Sequence, residues 1–184
     1  MLLDSSFFQV DTIGFSGSRH GIDLDAGELA AAAVPAGAEV VVGCAAGVDA
    51  FFRSRFPAAR VLRVDSSLGR AGFARRSIAC VEAVSRGLWV SFPGAACPSG
   101  LSPSASPGRC FSGSGSGSWA SLAYALGRGG AALVYLGSVP APGSWGLVRV
   151  PDSIGWWRFE SSQVQLSLLW FLIKQLIDYG KLIR

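Results

Sequence analysis

Two glycine- and serine-rich segments carry the residues best suited to chemistry: Gly14-Phe-Ser-Gly-Ser-Arg-His20 and Ser112-Gly-Ser-Gly-Ser-Gly-Ser118. The first follows the apolar stretch Phe7–Ile13, and the second precedes the helix-compatible run Trp119–Gly127. A strand that ends in small residues and then opens a helix leaves backbone N–H groups directed outward. With the positive end of the helix dipole, these groups suit an anion such as phosphate. In the first segment the candidates are Ser16, Gly17, Ser18 and Arg19. Arg19 is the strongest single phosphate ligand among them, because a guanidinium grips phosphate oxygens as a fork. In the second segment, Gly113, Ser114, Gly115, Ser116, Gly117 and Ser118 suit a phosphate cradle built from amides. The same composition also suits a plain flexible linker, and only its place before a helix favours the cradle.

A third cluster is the turn Gly43-Cys-Ala-Ala-Gly-Val-Asp49, which places small residues where a helix approaches the first strand or a ligand. Asp49 is placed to hold a ribose hydroxyl, cap the helix or pair with Arg19. Arg75 and Arg76 open a further helical stretch and add positive charge. Neither glycine segment fits the dinucleotide fingerprint. The phosphate-binding loop that ends in Lys-Ser/Thr is excluded too, since no lysine precedes Lys174.

Other chemistries have little to work with. The single histidine is His20, so no Ser-His-Asp or Cys-His constellation is built without it. The carboxylates Asp23, Asp25, Asp49 and Asp65 show no spacing that implies paired acid–base work. Cys44, Cys80, Cys97 and Cys110 contain no C-x-x-C pair and read as reduced thiols, not a zinc site.

The elements that must position these residues alternate along the chain. Strand patterns fall at 7–15, 39–42, 60–64, 87–92 and 131–136, with helical patterns at 25–34, 47–56, 72–85 and 119–126. A short strand is expected at 147–150. This order predicts a single α/β domain, Rossmann-like, with an open and mostly parallel sheet over residues 1–155. Its ligand crevice belongs at the carboxyl ends of the strands. Residues 95–117 read as a mobile surface loop rich in Gly, Ser and Pro. Residues 156–184 read as a C-terminal amphipathic helix, with Leu166, Leu169, Trp170, Ile173, Leu176 and Ile177 on one face. That face suits packing on its own domain, a homo-oligomer contact through 162–179 or attachment to a membrane surface, although the polar face carries few cations.

With 184 residues and a net charge of +4, the chain is mildly basic, and fourteen of its sixteen basic residues are arginine. The bias suits an anionic ligand and equally suits a GC-rich coding sequence. The most apolar stretch, Leu166–Ile177, is interrupted by Lys174 and is too short to span a bilayer. The opening Met1-Leu-Leu-Asp4 lacks a basic region before an apolar run, which predicts a cytoplasmic chain without a secretory signal.

Taken in order, Gly14-Phe-Ser-Gly-Ser-Arg19, Val42-Gly-Cys-Ala-Ala-Gly-Val-Asp49, Arg75-Arg76 and the loop 113–117 resemble the SLOG superfamily. The resemblance is strongest to its small bacterial YspA/YpsA-related branch and more distant to the DNA-processing Smf/DprA and Lonely Guy families. It covers about residues 7–136 and implies a Rossmann-like domain that binds nucleotides or their derivatives. It also implies a site lined by Ser18, Arg19, Gly43, Gly47, Asp49, Arg75 and residues 113–118. Arg76 stands where the family usually has Asn, and Cys44 replaces a usual Gly. The Lonely Guy branch follows its glycine loop with a catalytic Glu, whereas this chain reads Ser114-Gly-Ser-Gly-Ser-Trp-Ala-Ser121.

The expected function is therefore a sensor-like protein that binds a nucleotide or nucleotide derivative through two glycine-rich phosphate loops. Three other readings stay open. These are a single-stranded nucleic-acid binder using Phe73, Trp119, Trp156 and Trp157, a structural or filament-forming oligomer, and an N-glycosidic hydrolase using Asp49 or Asp65.

Overall fold

Thr12–Gly17 forms β1, the strand around which the sheet is assembled. A computed structural model describes residues 10–84, 86–113 and 116–159. In chain order the elements are α1 (Leu24–Ala32), β2 (Glu39–Gly43), α2 (Val48–Arg55), β3 (Arg60–Leu62) and α3 (Arg70–Ala83). Then follow β4 (Leu88–Phe92), the one-turn α4 (Pro107–Cys110), α5 (Gly117–Gly127), β5 (Ala131–Tyr135), β6 (Val148–Arg149) and β7 (Trp156–Phe159). The described residues build one seven-stranded sheet in the order β3-β2-β1-β4-β5-β7-β6. Its first five strands run parallel, with Phe15 level with Val42 on one side and Val90 on the other.

The strand sequences explain this arrangement. Val40–Val42 and every residue of β4 are buried, as strands covered on both faces must be. On one face, α1 and α2 cover the sheet, and the Phe15 and Phe52 rings stack with centroids 3.7 Å apart. On the other face, α3 and α5 pack together around Val81, Trp119, Leu122 and Leu126. All described helices fall short of the length and apolarity needed to cross a membrane.

Two expectations change. Trp156–Phe159 is a strand, β7, antiparallel to β5, so the sheet extends past the boundary expected at residue 155. The β-prone Trp-Trp-Arg-Phe run carries it, with Trp156 buried against Phe92 and Tyr135. The helix expected farther on, including 162–179, lies outside the described residues. The segment 95–117, expected as a mobile surface loop, does run largely along the surface, but it holds the one-turn α4 and is anchored at three points of its described length. The Trp119 indole donates to the Ala95 carbonyl at 2.8 Å, Ser104 N–H donates to the Ala123 carbonyl at 3.2 Å, and Cys110 is buried.

Candidate functional site

From β1 the chain moves outward to β2, and from β4 it moves outward to β5. The carboxyl ends of β1 and β4 therefore part company and leave a crevice, the usual ligand position in an open α/β sheet. A cleft of about 680 Å³ opens there, within the range of small-molecule sites. Its floor is the end of β1, one wall is the start of α3, and the other is the start of α5 with the loop before it.

The floor is fixed by backbone bonds. Ser18 N–H donates to the Phe92 carbonyl at 2.9 Å, and the Ser18 carbonyl accepts Val48 N–H at 3.0 Å. One residue thus joins β1 to β4 and to the start of α2. Close approach requires glycine here: a Cβ on Gly17 would come within 2.6 Å of the Phe92 carbonyl oxygen. Gly47 is tighter still. Its φ is +65°, and a Cβ would overlap the Ser18 carbonyl oxygen. Gly47→Ala is expected to cost at least about 2 kcal/mol, lowering the melting temperature by roughly 4–8 °C, as read by circular dichroism. A melt unchanged within about 1 °C would contradict this packing.

On the α3 wall, Arg70, Phe73, Arg76 and Ser77 line the cleft. The Arg76 guanidinium donates to Asp49 at 2.8 Å, and the two side chains are only 9% and 6% exposed. The same carboxylate oxygen accepts Ala45 N–H at 3.1 Å. Arg53 clamps the turn from its other side, donating to the carbonyls of Gly43 at 2.6 Å and Ala45 at 2.9 Å. A Cβ on Gly43 would overlap Arg76 Nη1, so glycine is what admits the guanidinium. The turn 43–49 is filled from within. Asp49 pairs, and its partner is Arg76, not Arg19. Arg76 Nε is buried with no hydrogen-bond acceptor. Arg19 instead lies over the Phe73 ring, its guanidinium carbon 4.7 Å from the centroid.

The opposite wall is the N-terminus of α5. Ser116 caps it without a side-chain bond to the backbone, and the Ser116 and Ser118 hydroxyls are 2.6 Å apart. Ala120 N–H is the donor to the Ser116 carbonyl, so the amides of residues 117–119 precede the first intrahelical bond. Gly117 is exposed at this edge. Among the described lining residues the charged groups are Arg19, Arg70 and Arg76 and one carboxylate, Asp49, already paired. The positive excess and the helix N-terminus favour the same sign of ligand.

Ser16, Gly17, Ser18, Arg19, Asp49, Arg76, Gly113, Ser116, Gly117 and Ser118 all reach this one cleft. Gly43 and Gly47 act beneath it as packing positions. Arg75 is exposed and is not among the lining residues, while Ser114 and Gly115 lie outside the described residues. Ser77, Phe111 and Ser121 also line the cleft and were absent from the expected site, and Arg70 lines it beside them. Starting the helix at Arg70 instead of Gly72 puts residues 70, 73 and 77 on one helical face, which is the signal that could have found Ser77.

Burial pushes the Cys80 thiol pKa up to about 11, with Arg76 pulling weakly the other way, and burial also raises Cys110 in the cleft wall. Asp65 lies outside the cleft, its carboxyl held below the usual range by hydrogen bonds from Ser67. Among the described residues, no three His, Cys, Asp or Glu side chains converge to hold a metal ion. No protein-family model, curated protein or solved structure matches the chain.

Proposed function

We propose that this protein binds a nucleotide or nucleotide-derived phosphoanion in the β1/β4 cleft and acts as a sensor of that ligand. One observation carries the reading: Arg19, Arg70 and the N-terminus of α5 converge on a cleft whose lining carboxylate is already paired. The phosphate sits at the amides of α5, with Arg19 and Arg70 supplying charge-assisted hydrogen bonds. The SLOG resemblance supports the same reading. Binding is favoured over hydrolysis because Asp49 is committed to Arg76 and to Ala45 N–H, so it is poorly placed to serve as a general base or nucleophile. The apolar spacing of 166–177 supports assembly into homo-oligomers, and the free cysteines suit a reducing, cytoplasmic setting.

The test is a calorimetric titration with nucleoside mono-, di- and triphosphates, cyclic and linear dinucleotides, and a short single-stranded DNA, at low and high salt. One small nucleotide is expected to saturate the protein with little dependence on salt. Arg19→Ala is expected to weaken it about 10- to 100-fold, the worth of a hydrogen bond to a charged group. Binding of DNA alone, collapsing as salt rises, would replace this reading with the nucleic-acid one.

A further inference from the structure

Phe73 is out of place as a core residue. Among the described residues it is the one phenylalanine that belongs to neither hydrophobic cluster. It is 42% exposed, on a cleft wall whose neighbouring positions are Arg70, Arg76 and Ser77. Nothing in the packing of α3 needs an aromatic ring there, since the helix meets the core through Ile78, Cys80, Val81 and Ala83. What the ring does meet is the Arg19 guanidinium, whose carbon lies over it 4.7 Å from the centroid.

We infer that Phe73 and Arg19 form the base subsite of the cleft, so that its ligand carries a planar heteroaromatic ring as well as a phosphate. This inference rests on the phosphoanion reading given above and sharpens it. A base joining the stack meets either the phenyl ring or the guanidinium plane, and both stack on nucleobases. A stacked guanidinium keeps its in-plane N–H groups free, so Arg19 can hold the base or ring stack and still donate to a phosphate oxygen. The turn Gly43–Asp49, where a ribose hydroxyl on Asp49 was one expectation, has no such room. It is occupied by the Arg76 guanidinium and the Asp49 carboxylate. The two walls then divide the work: amides of α5 for the phosphate, and Phe73 on α3 for the ring. Stacking discriminates weakly among bases, because each presents a π face. Selectivity for one base is left to the polar edges of the cleft.

The experiment compares the four nucleoside 5′-monophosphates with ribose 5-phosphate, which keeps the phosphate and sugar but has no base. Each is titrated into the wild-type chain and into Phe73→Leu, which retains apolar bulk and helix propensity but removes the π face. At least one nucleotide is expected to bind more tightly than ribose 5-phosphate. Phe73→Leu is expected to weaken that nucleotide about 5- to 100-fold while changing ribose 5-phosphate less than about twofold. A Phe73→Trp variant adds a second readout: its fluorescence is expected to be quenched by the nucleotide and not by ribose 5-phosphate.

If Phe73→Leu weakens both ligands equally, Phe73 only positions Arg19, and the base subsite is wrong while the phosphate site stands. If the variant changes neither, the base subsite is again wrong. If neither ligand binds the wild-type chain at millimolar concentration, the phosphate reading falls and takes this inference with it. A thermal melt within a few degrees of wild type excludes misfolding as the cause of any loss.

Discussion

Arg76→Met is expected to destabilise the fold by about 3–5 kcal/mol, because it leaves the Asp49 carboxylate buried beside Gly43 without its cation. Total stability of a domain this size is about 5–15 kcal/mol, so the loss is a large fraction of the whole. Asp49→Ala is expected to cost a similar amount, since it strands a guanidinium whose Nε already lacks an acceptor. The double variant Arg76→Met/Asp49→Leu is expected to recover much of the loss, because two apolar groups bury without an unpaired charge. Urea denaturation followed by tryptophan fluorescence reads all three. Single-variant losses below about 1 kcal/mol, or simple additivity in the double variant, would show that the pair does not hold the turn 43–49 in place. Gly43→Ala belongs to the same test, because its methyl group displaces the guanidinium from the carboxylate.

The second large effect separates binding from folding. Gly117 is the first residue of α5, and nothing lies within 4 Å of where its Cβ would stand. Gly117→Asp therefore fits without a clash. A carboxylate in the first helical turn interacts favourably with the dipole, by about 0.3–1 kcal/mol, and Asp suits a helix better than Gly does. Stability is expected to hold or rise. The same carboxylate occupies the proposed phosphate position and repels the ligand. Nucleotide affinity is expected to fall at least about 100-fold, since misplaced like charge in a binding site costs several kcal/mol. Calorimetry paired with a thermal melt reads both halves. Wild-type affinity in a Gly117→Asp protein that melts normally would move the phosphate away from α5.

How much of this was legible beforehand follows from the reach of each signal. The parallel strands were readable because Val40–Val42 and Leu88–Phe92 are continuous apolar runs, which is what burial on both faces demands. The crevice at the ends of β1 and β4 followed from the alternation of strand and helix, and the two glycine segments fell on it. Trp156–Phe159 was missed because four residues are too few to show a period, and an antiparallel partner 21 or more residues away leaves no local mark. Asp49 illustrates the sharper limit. Its residue type and position allowed a ribose contact, a cap or an ion pair, and only the packing of α3 against β2 chose Arg76 as its partner. Arg75 and Arg76 are neighbours in sequence but sit about 100° apart around a helix, so one is exposed and the other buried in the cleft wall. Phe73 was legible as an aromatic available to a nucleic acid, yet its isolation from the core emerges only in three dimensions.

The central claim is that a phosphate-bearing nucleotide sits between β1 and α5. Amide NMR of the ¹⁵N-labelled protein during titration with the tightest-binding nucleotide of the panel tests it most directly. The expected result is saturable shifts at Ser18–His20 and Gly117–Trp119, with one common dissociation constant and no comparable change on α1. Shifts confined to the α1 and α2 face, or no saturable shift at any amide, would contradict it.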